Sequence, residues 1–136
     1  MMGSKSLNVA SALLIIIGAW AAFEGLWALF LPEGYLDMWM KMLGVAVPQT
    51  NFLKHVDQFY GLEKAIAGLF FCVISLIPYR KAEKWAWYAI LVIGGIHMVG
   101  MLVLWTPHVP FSIIFVILWI VGLSLPAKRI LGKKST

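Results

Sequence analysis

Charged residues and cysteine are both scarce in this chain, and each shortage excludes a class of protein. Charged residues make up 12% and apolar residues 62% of the 136 positions, whereas soluble domains average about 25% and about 45–50%. A soluble domain of this size cannot bury so much apolar surface. The single cysteine, Cys72, excludes an intrachain disulfide. We therefore expect lipid to replace water around most of the chain.

Long apolar runs are what the sequence contains instead. A helix of about 20 apolar residues crosses the hydrocarbon core of a bilayer, and no segment shows the alternating pattern of a transmembrane strand. The fold class expected is all-α, a polytopic bundle of four transmembrane helices that forms a single domain over residues 1–136. The predicted spans cover about 9–31, 57–77, 85–105 and 109–125.

A short amphipathic segment separates the first two predicted spans. Apolar residues recur at helical spacing over residues 34–46, and Asp37 and Lys41 are placed four apart, as in an exposed ion pair. This pattern predicts an interfacial helix on the membrane surface. A lid over a site or a docking surface for a partner is the alternative. Beyond it, Thr50 or Asn51 can cap the second span.

Positive charge is concentrated in certain connections, which predicts an orientation. Lys5 precedes the first span, and the segments "PYRKAEK" and "AKRILGKKST" are basic, whereas "TPHVP" has no Lys or Arg. Basic connections stay on the cytoplasmic side. We expect a multi-pass protein of the cell membrane with both termini in the cytoplasm, and a lipid partner rather than nucleic acid to explain the net charge of +5.

A cleavable signal peptide is the competing interpretation of the first run. Lys5 would form its basic start, and "AWA" at residues 19–21 resembles a cleavage site. The apolar run continues to Leu31, which is long for a signal peptide. The sequence therefore favours a transmembrane helix.

Ionisable residues inside three predicted spans form the candidate site. Glu24 and His97 lie about 10–12 Å below the outer end of their spans, at about 1.5 Å per residue, and Lys64 lies about two turns below Asp57. A charge at the bilayer centre costs at least about 2.5–3.5 kcal/mol, so these groups should face the bundle interior, where pairing of Glu24 with Lys64 would offset much of that cost. Glu24, Asp57, Lys64 and His97 are the candidate ligand- or proton-binding residues, and a structural polar clamp is the alternative.

The helical faces support this convergence. Asp57 shares a face of the second span with small or polar residues, which favours close packing in a bundle, whereas Glu63 points away. Gly94 and Met101 share the side of His97, and Ala21 and Ala28 flank Glu24. The residues that follow Asp57 on its face are Gly61, Lys64, Gly68 and Ser75.

Other chemistries have little support in the sequence. His55 and His108 are weak candidates for a metal site, because no closely spaced ligand motif is present. No serine has a base nearby in sequence, so catalytic residues stay unidentified. We predict no cofactor, since no phosphate-binding glycine loop occurs.

The layout resembles the small four-span membrane proteins grouped as DoxX-like, on chain length, spans and the "EKWAWY" start of the third span. That resemblance implies no site residues. The chain is also similar to small multidrug resistance transporters, which have four spans, and there Glu24 would match the proton-coupled glutamate of the first span. A third similarity is to emopamil-binding-type sterol isomerases, which use buried acids in a helical bundle.

Three functions follow as hypotheses. The first is a non-catalytic accessory or structural subunit, in contact with other membrane subunits or a second copy of the chain. The second is a proton-coupled transporter or small-molecule binder that uses Glu24 with Lys64 and His97. The third is a lipid-modifying enzyme in which Glu24 and His97 act as acid and base.

Overall fold

The computed structural model describes residues 2–46, 48–104 and 109–132, and this part of the chain is all-helical, as predicted. The apolar runs become long helices because a chain surrounded by lipid must satisfy its backbone hydrogen bonds internally. The helices are α1 (Met2–Phe30), α2 (Pro32–Leu43), α3 (Asn51–Leu76), α4 (Lys84–Leu104), α5 (Val109–Ser124) and α6 (Ala127–Leu131).

Three of the described helices are long and apolar enough to cross a membrane. These segments are Lys5–Phe30, Asn51–Leu76 and Lys84–Val103, whereas the apolar stretch Ser112–Ser124 is shorter. Length and composition therefore indicate a membrane location.

The second long helix starts six residues before the predicted span. Thr50 caps it, because the Thr50 hydroxyl accepts a hydrogen bond from the Leu53 N–H at 3.2 Å. Asp57 therefore lies in the second turn of α3, not the first as the sequence suggested.

The amphipathic segment forms the helix α2, in slightly earlier bounds than predicted. Pro32 occupies its first turn, where an N–H is not needed. Gly44 ends it in the left-handed conformation, with φ of 65°. The predicted pair of Asp37 and Lys41 is present at 2.7 Å, and both side chains are exposed.

The chain divides into two compact units, and α1 and α3 contribute residues to both. The central unit is Gly18–Phe70, and the terminal unit combines Met1–Ile17 with Phe71–Thr136.

In the central unit, α1 and α3 approach closely along small residues. A Cβ on Gly61 would lie 2.6 Å from the Leu29 nitrogen and 2.7 Å from the Gly25 oxygen. Gly68 meets the α1 backbone at Gly18 and Ala22 in the same way. These contacts bury the predicted small-residue face of α3, while Glu63 is exposed as expected.

In the terminal unit, side-chain donors are bonded to backbone carbonyls. The hydroxyl of the buried Tyr79 donates to the Gly122 oxygen at 2.6 Å, and the Trp119 indole donates to the Ile90 oxygen at 3.1 Å. Trp119 also packs against Gly94, which leaves no room there for a side chain. The residues Gly94 and Trp119 thus lock α4 to α5.

One end of the terminal unit gathers three helix ends. The Arg80 guanidinium, in the α3–α4 connection, donates to the Asn8 side-chain oxygen of α1 at 3.1 and 3.2 Å. Tyr79 reaches Gly122 near the end of α5. The start of α1, the α3–α4 connection and the last part of α5 therefore lie together.

Candidate functional site

The centre of the candidate site is a buried ion pair in the central unit. The Lys64 ammonium lies 2.7 Å from the Glu24 carboxylate, and the two side chains are 14% and 12% exposed. The pairing predicted from the sequence is therefore present. The Lys64 ammonium also lies 5.4 Å from the centre of the Tyr60 ring, close enough for a cation–π interaction.

This ion pair is positioned by the small residues on both helices. Glu24 immediately precedes Gly25, and Lys64 immediately precedes Ala65, which is 3% exposed. A Cβ on Gly25 would collide with the backbone of Ala65 and would lie 2.6 Å from the Gly61 oxygen. Because the backbones approach so closely, the neighbouring charged side chains meet directly.

Two further polar atoms of the central unit are buried beside this pair. Asp57, on α3, and Tyr35, on α2, each present an oxygen that is shielded from solvent. Within the described residues, the Asp57 Oδ2 atom has no hydrogen-bond partner, and the Tyr35 hydroxyl has none of good geometry, although the Trp39 indole lies close enough to act on its pKa. A buried polar group without a partner costs free energy, so a partner for these atoms would stabilise the protein.

Tyr35 brings α2 into the site. The residue is 2% exposed. Burial raises the pKa of the Tyr35 hydroxyl most. Glu24, Tyr60 and Asp57 raise this pKa further, while the nearby Trp39 indole lowers it. Tyr35 therefore stays neutral near physiological pH, and its oxygen lies within electrostatic range of both carboxylates.

Aromatic rings surround this group. The Tyr35 ring contacts the rings of Trp27 and Trp39 edge to face, with centroids 5.8 and 5.9 Å apart. Phe23 packs against Trp27 at 6.1 Å. Such ring pairs stabilise a fixed arrangement, so residues of α1 and α2 form an aromatic cluster next to the acidic groups.

Polar contacts hold the ends of α2 and α1 against α3. Glu33, in the first turn of α2, pairs with Lys54 of α3, and this contact lowers the pKa of Glu33. The Gln49 amide donates to the Glu33 backbone oxygen at 3.4 Å, and the Gln58 amide donates to the Leu29 oxygen at 3.3 Å. These contacts connect the start of α2 and the end of α1 with α3 and with the segment that precedes α3.

The remaining predicted site residues do not belong to this buried group of the central unit. The sequence predicted that His97 faces the bundle interior. In the structure His97 belongs to the terminal unit and its side chain is exposed, so it does not lie on the buried face of α4. Because the buried residues recur every fourth position, their stripe rotates about 40° around the helix at each step, and His97 lies about 60° from Gly94 and about 100° from Met98. The residues of this stripe are Ala86, Ile90, Gly94 and Met98.

The weak metal candidates give no site in the described chain. His55 is exposed on α3, and His108 lies outside the described residues. Residues 2–46, 48–104 and 109–132 contain no group of three or more histidine, cysteine, aspartate or glutamate side chains placed to hold a metal ion.

Sequence reasoning missed Tyr35 and the aromatic group around it. In the sequence, Tyr35 falls on the apolar stripe of the predicted interfacial helix, where a tyrosine needs no partner. The available signal was the spacing of Tyr35 and Trp39, four residues apart on one helical face.

Comparison of the chain with known protein families, curated proteins and solved structures gave no match.

Proposed function

We propose that the protein is a four-span integral membrane protein that binds a small polar molecule between α1, α2 and α3. The observation that carries this proposal is the pair of buried oxygens, from Asp57 and Tyr35, that lack hydrogen-bond partners beside a closed Glu24–Lys64 pair. A ligand that bonds to both oxygens would remove the cost of burying them.

A purely structural role explains these groups less well. The glycine contacts of Gly25, Gly61 and Gly68 already fix how α1 packs on α3. A polar clamp would be expected to satisfy all its members, because partly satisfied networks destabilise a protein. Here the ion pair is satisfied and the two neighbouring oxygens are not, which favours a binding role.

The second helix, α2, is suited to act as the cover of this site. It contributes Tyr35 and Trp39, and it is attached to α3 through the exposed contact of Glu33 with Lys54. Gly44 follows α2 in a left-handed conformation. These contacts favour the lid interpretation of this segment over a purely interfacial helix.

The fourth span in this proposal is α5. The contacts of Tyr79 with Gly122 and of Arg80 with Asn8 support a common side for the start of α1, the α3–α4 connection and the end of α5. Basic residues cluster there, which supports a cytoplasmic assignment. With Cys72 replaced, cysteines introduced at Ser4 and Thr136 should be protected from an impermeant thiol reagent in intact cells. Labelling of either position would exclude this topology.

The binding function is tested by thermal stability in lipid nanodiscs. Amines, alcohols, carboxylic acids and sugars are screened for compounds that raise the melting temperature. Any genuine ligand should lose its effect in the double variant Asp57→Asn/Tyr35→Phe and keep it in Glu63→Gln, which alters an exposed residue of the same helix. Stabilisation that is equal in all three proteins would contradict the proposal.

A transport assay distinguishes a carrier from a binder. In proteoliposomes that contain a fluorescent pH indicator, a stabilising compound added outside should change the internal pH if its movement is coupled to protons. A compound that binds without any pH change or uptake would indicate a binder only.

An accessory or self-associating subunit is the second candidate, favoured by one face of α4. His97 is exposed there, and Gly100 has nothing within 4 Å of the position of a Cβ. A polar and a small residue on a membrane helix favour contact with another helix. Purification in mild detergent tests this role: a Gly100→Leu variant should lose a partner or a second copy that the wild type retains. A wild-type monomer without any partner would argue against it.

A further inference from the structure

We propose that Asp57, not Glu24, is the ligand-accepting carboxylate, and that the ligand is a monocationic amine with an aromatic or apolar body. This inference rests on the proposed binding function and assigns its ligand class. The juxtaposition that carries it is an unpartnered Asp57 oxygen and an unpartnered Tyr35 hydroxyl next to a closed ion pair, within the described residues.

Glu24 is the group that sequence reasoning favoured, but its charge is already compensated. Its carboxylate contacts the Lys64 ammonium at 2.7 Å, and both side chains are largely shielded from solvent. Separating such a pair leaves two uncompensated charges. Glu24 therefore positions Lys64, while the partnerless oxygen belongs to Asp57.

The charge balance of the group selects a cation. Glu24 and Lys64 cancel, so the ionised Asp57 leaves a net charge of about −1, while Tyr35 stays neutral. Lys64 of the same helix acts on Asp57, and Asp57 acts on Tyr35 of α2, which Glu24 of α1 and Tyr60 of α3 also influence. Lys54 is engaged by Glu33. A ligand with one positive charge would therefore neutralise this group of side chains.

Both orphaned atoms suit an ammonium group. An ammonium carries several N–H donors and no acceptor. One donor bonds to the Asp57 carboxylate, and another bonds to the oxygen of the Tyr35 hydroxyl. An anion would be repelled by the Asp57 carboxylate, and a neutral alcohol would leave the charge of that carboxylate uncompensated.

The rings define the rest of the ligand. Tyr35, Trp27 and Trp39 form contiguous edge-to-face contacts, and the Tyr60 ring lies near the Lys64 cation. Aromatic faces attract cations when water is excluded and also pack against an apolar body. A hydrated metal ion would gain little from such a surface, which favours an organic cation.

Three probes of matched shape test this assignment: benzylamine, benzyl alcohol and benzoate, which are cationic, neutral and anionic near neutral pH. Their binding to the full chain in nanodiscs is measured by titration calorimetry. We expect benzylamine to bind at least about tenfold tighter than benzyl alcohol, a difference of about 1.4 kcal/mol. Benzoate should bind weakest.

Variants identify the residue that determines the preference for the cation. Asp57→Asn should abolish the preference for the cation, Asp57→Glu should retain it at lower affinity, and Glu63→Gln should leave it unchanged. Size-exclusion chromatography and circular dichroism verify that each variant is folded. The rescue by Asp57→Glu separates a charge effect from a packing effect.

Three results would contradict this assignment. Equal or tighter binding of benzyl alcohol or benzoate would overturn the amine assignment, while the site itself would survive. Loss of the preference in Glu24→Gln with its retention in Asp57→Asn would overturn the choice of Asp57. Binding of none of the three probes would overturn this inference, and the broader thermal screen would then decide the proposed function separately.

Discussion

The two units treat their buried polar groups differently. In the terminal unit, buried or half-buried donors such as Ser11, Tyr79 and Trp87 each reach a backbone carbonyl, with Ser75 Oγ as an exception among the described residues. In the central unit, a charged pair is buried and the oxygens of Asp57 and Tyr35 are left over. The first pattern suits a scaffold, and the second suits a site.

The comparison teaches which interactions are structural. A bond from a side chain to a carbonyl of another helix fixes packing and leaves nothing for a ligand. A cluster with unsatisfied atoms costs stability unless something else completes it. The central unit offsets that cost through its glycine contacts, which bring two backbones together at Gly25 and Gly61.

The largest effect is expected when the buried pair is broken. Lys64→Met leaves Glu24 as an uncompensated buried charge and should lower the free energy of unfolding by about 3–5 kcal/mol. The double variant Glu24→Leu/Lys64→Met should recover most of this loss, since both charges are then gone. Thermal unfolding in nanodiscs measures both, and equal destabilisation of the single and double variants would count against the pair.

The next largest effect concerns the helix contact beneath the pair. Gly61→Ala places a Cβ 2.6 Å from the Leu29 nitrogen, and backbone atoms cannot rotate away. We expect a loss of about 1–3 kcal/mol, typical of overpacking. Gly100→Ala is the matched control, because open space surrounds that position, and it should be neutral or slightly stabilising. Unfolding curves that do not separate the two variants would refute the close contact.

The sequence predicted the elements well and the site in part. The apolar runs and the capping of α3 by Thr50 follow from local rules, and the pairing of Glu24 with Lys64 follows from the cost of a lone charge in lipid. The position of His97 did not follow, because apolar residues surround it on every side of α4 and give no preferred face. Tyr35 was missed because its burial depends on how α2 packs, which no local pattern encodes.

Two buried tyrosines, one in each unit, test this difference directly. Tyr79→Phe removes the hydrogen bond to the Gly122 oxygen and should cost about 0.5–1.5 kcal/mol. Tyr35→Phe removes a hydroxyl that has no hydrogen-bond partner in the described chain, so stability should be unchanged or higher. Both side chains are almost fully buried, which makes them mutual controls in the same unfolding assay. A loss of stability in Tyr35→Phe as large as that in Tyr79→Phe would remove the distinction.

The smallest effect is expected at the edge of the site, where Glu33 pairs with Lys54. The pKa of Glu33 is lowered from 4.5, first by its hydrogen bond to Lys54 and then by the Lys54 charge. A lowered pKa in the folded state means that the contact stabilises α2 above the ordinary glutamate pKa, and that this contribution is lost as the pH falls through the folded value. The side chain is exposed, so solvent screening keeps the effect small. The melting temperature should therefore fall slightly more in wild type than in Glu33→Gln below about pH 4.5, and Lys54→Met should behave like Glu33→Gln. If all three proteins followed one pH curve while ligand binding persisted, α2 would be held by its aromatic contacts alone.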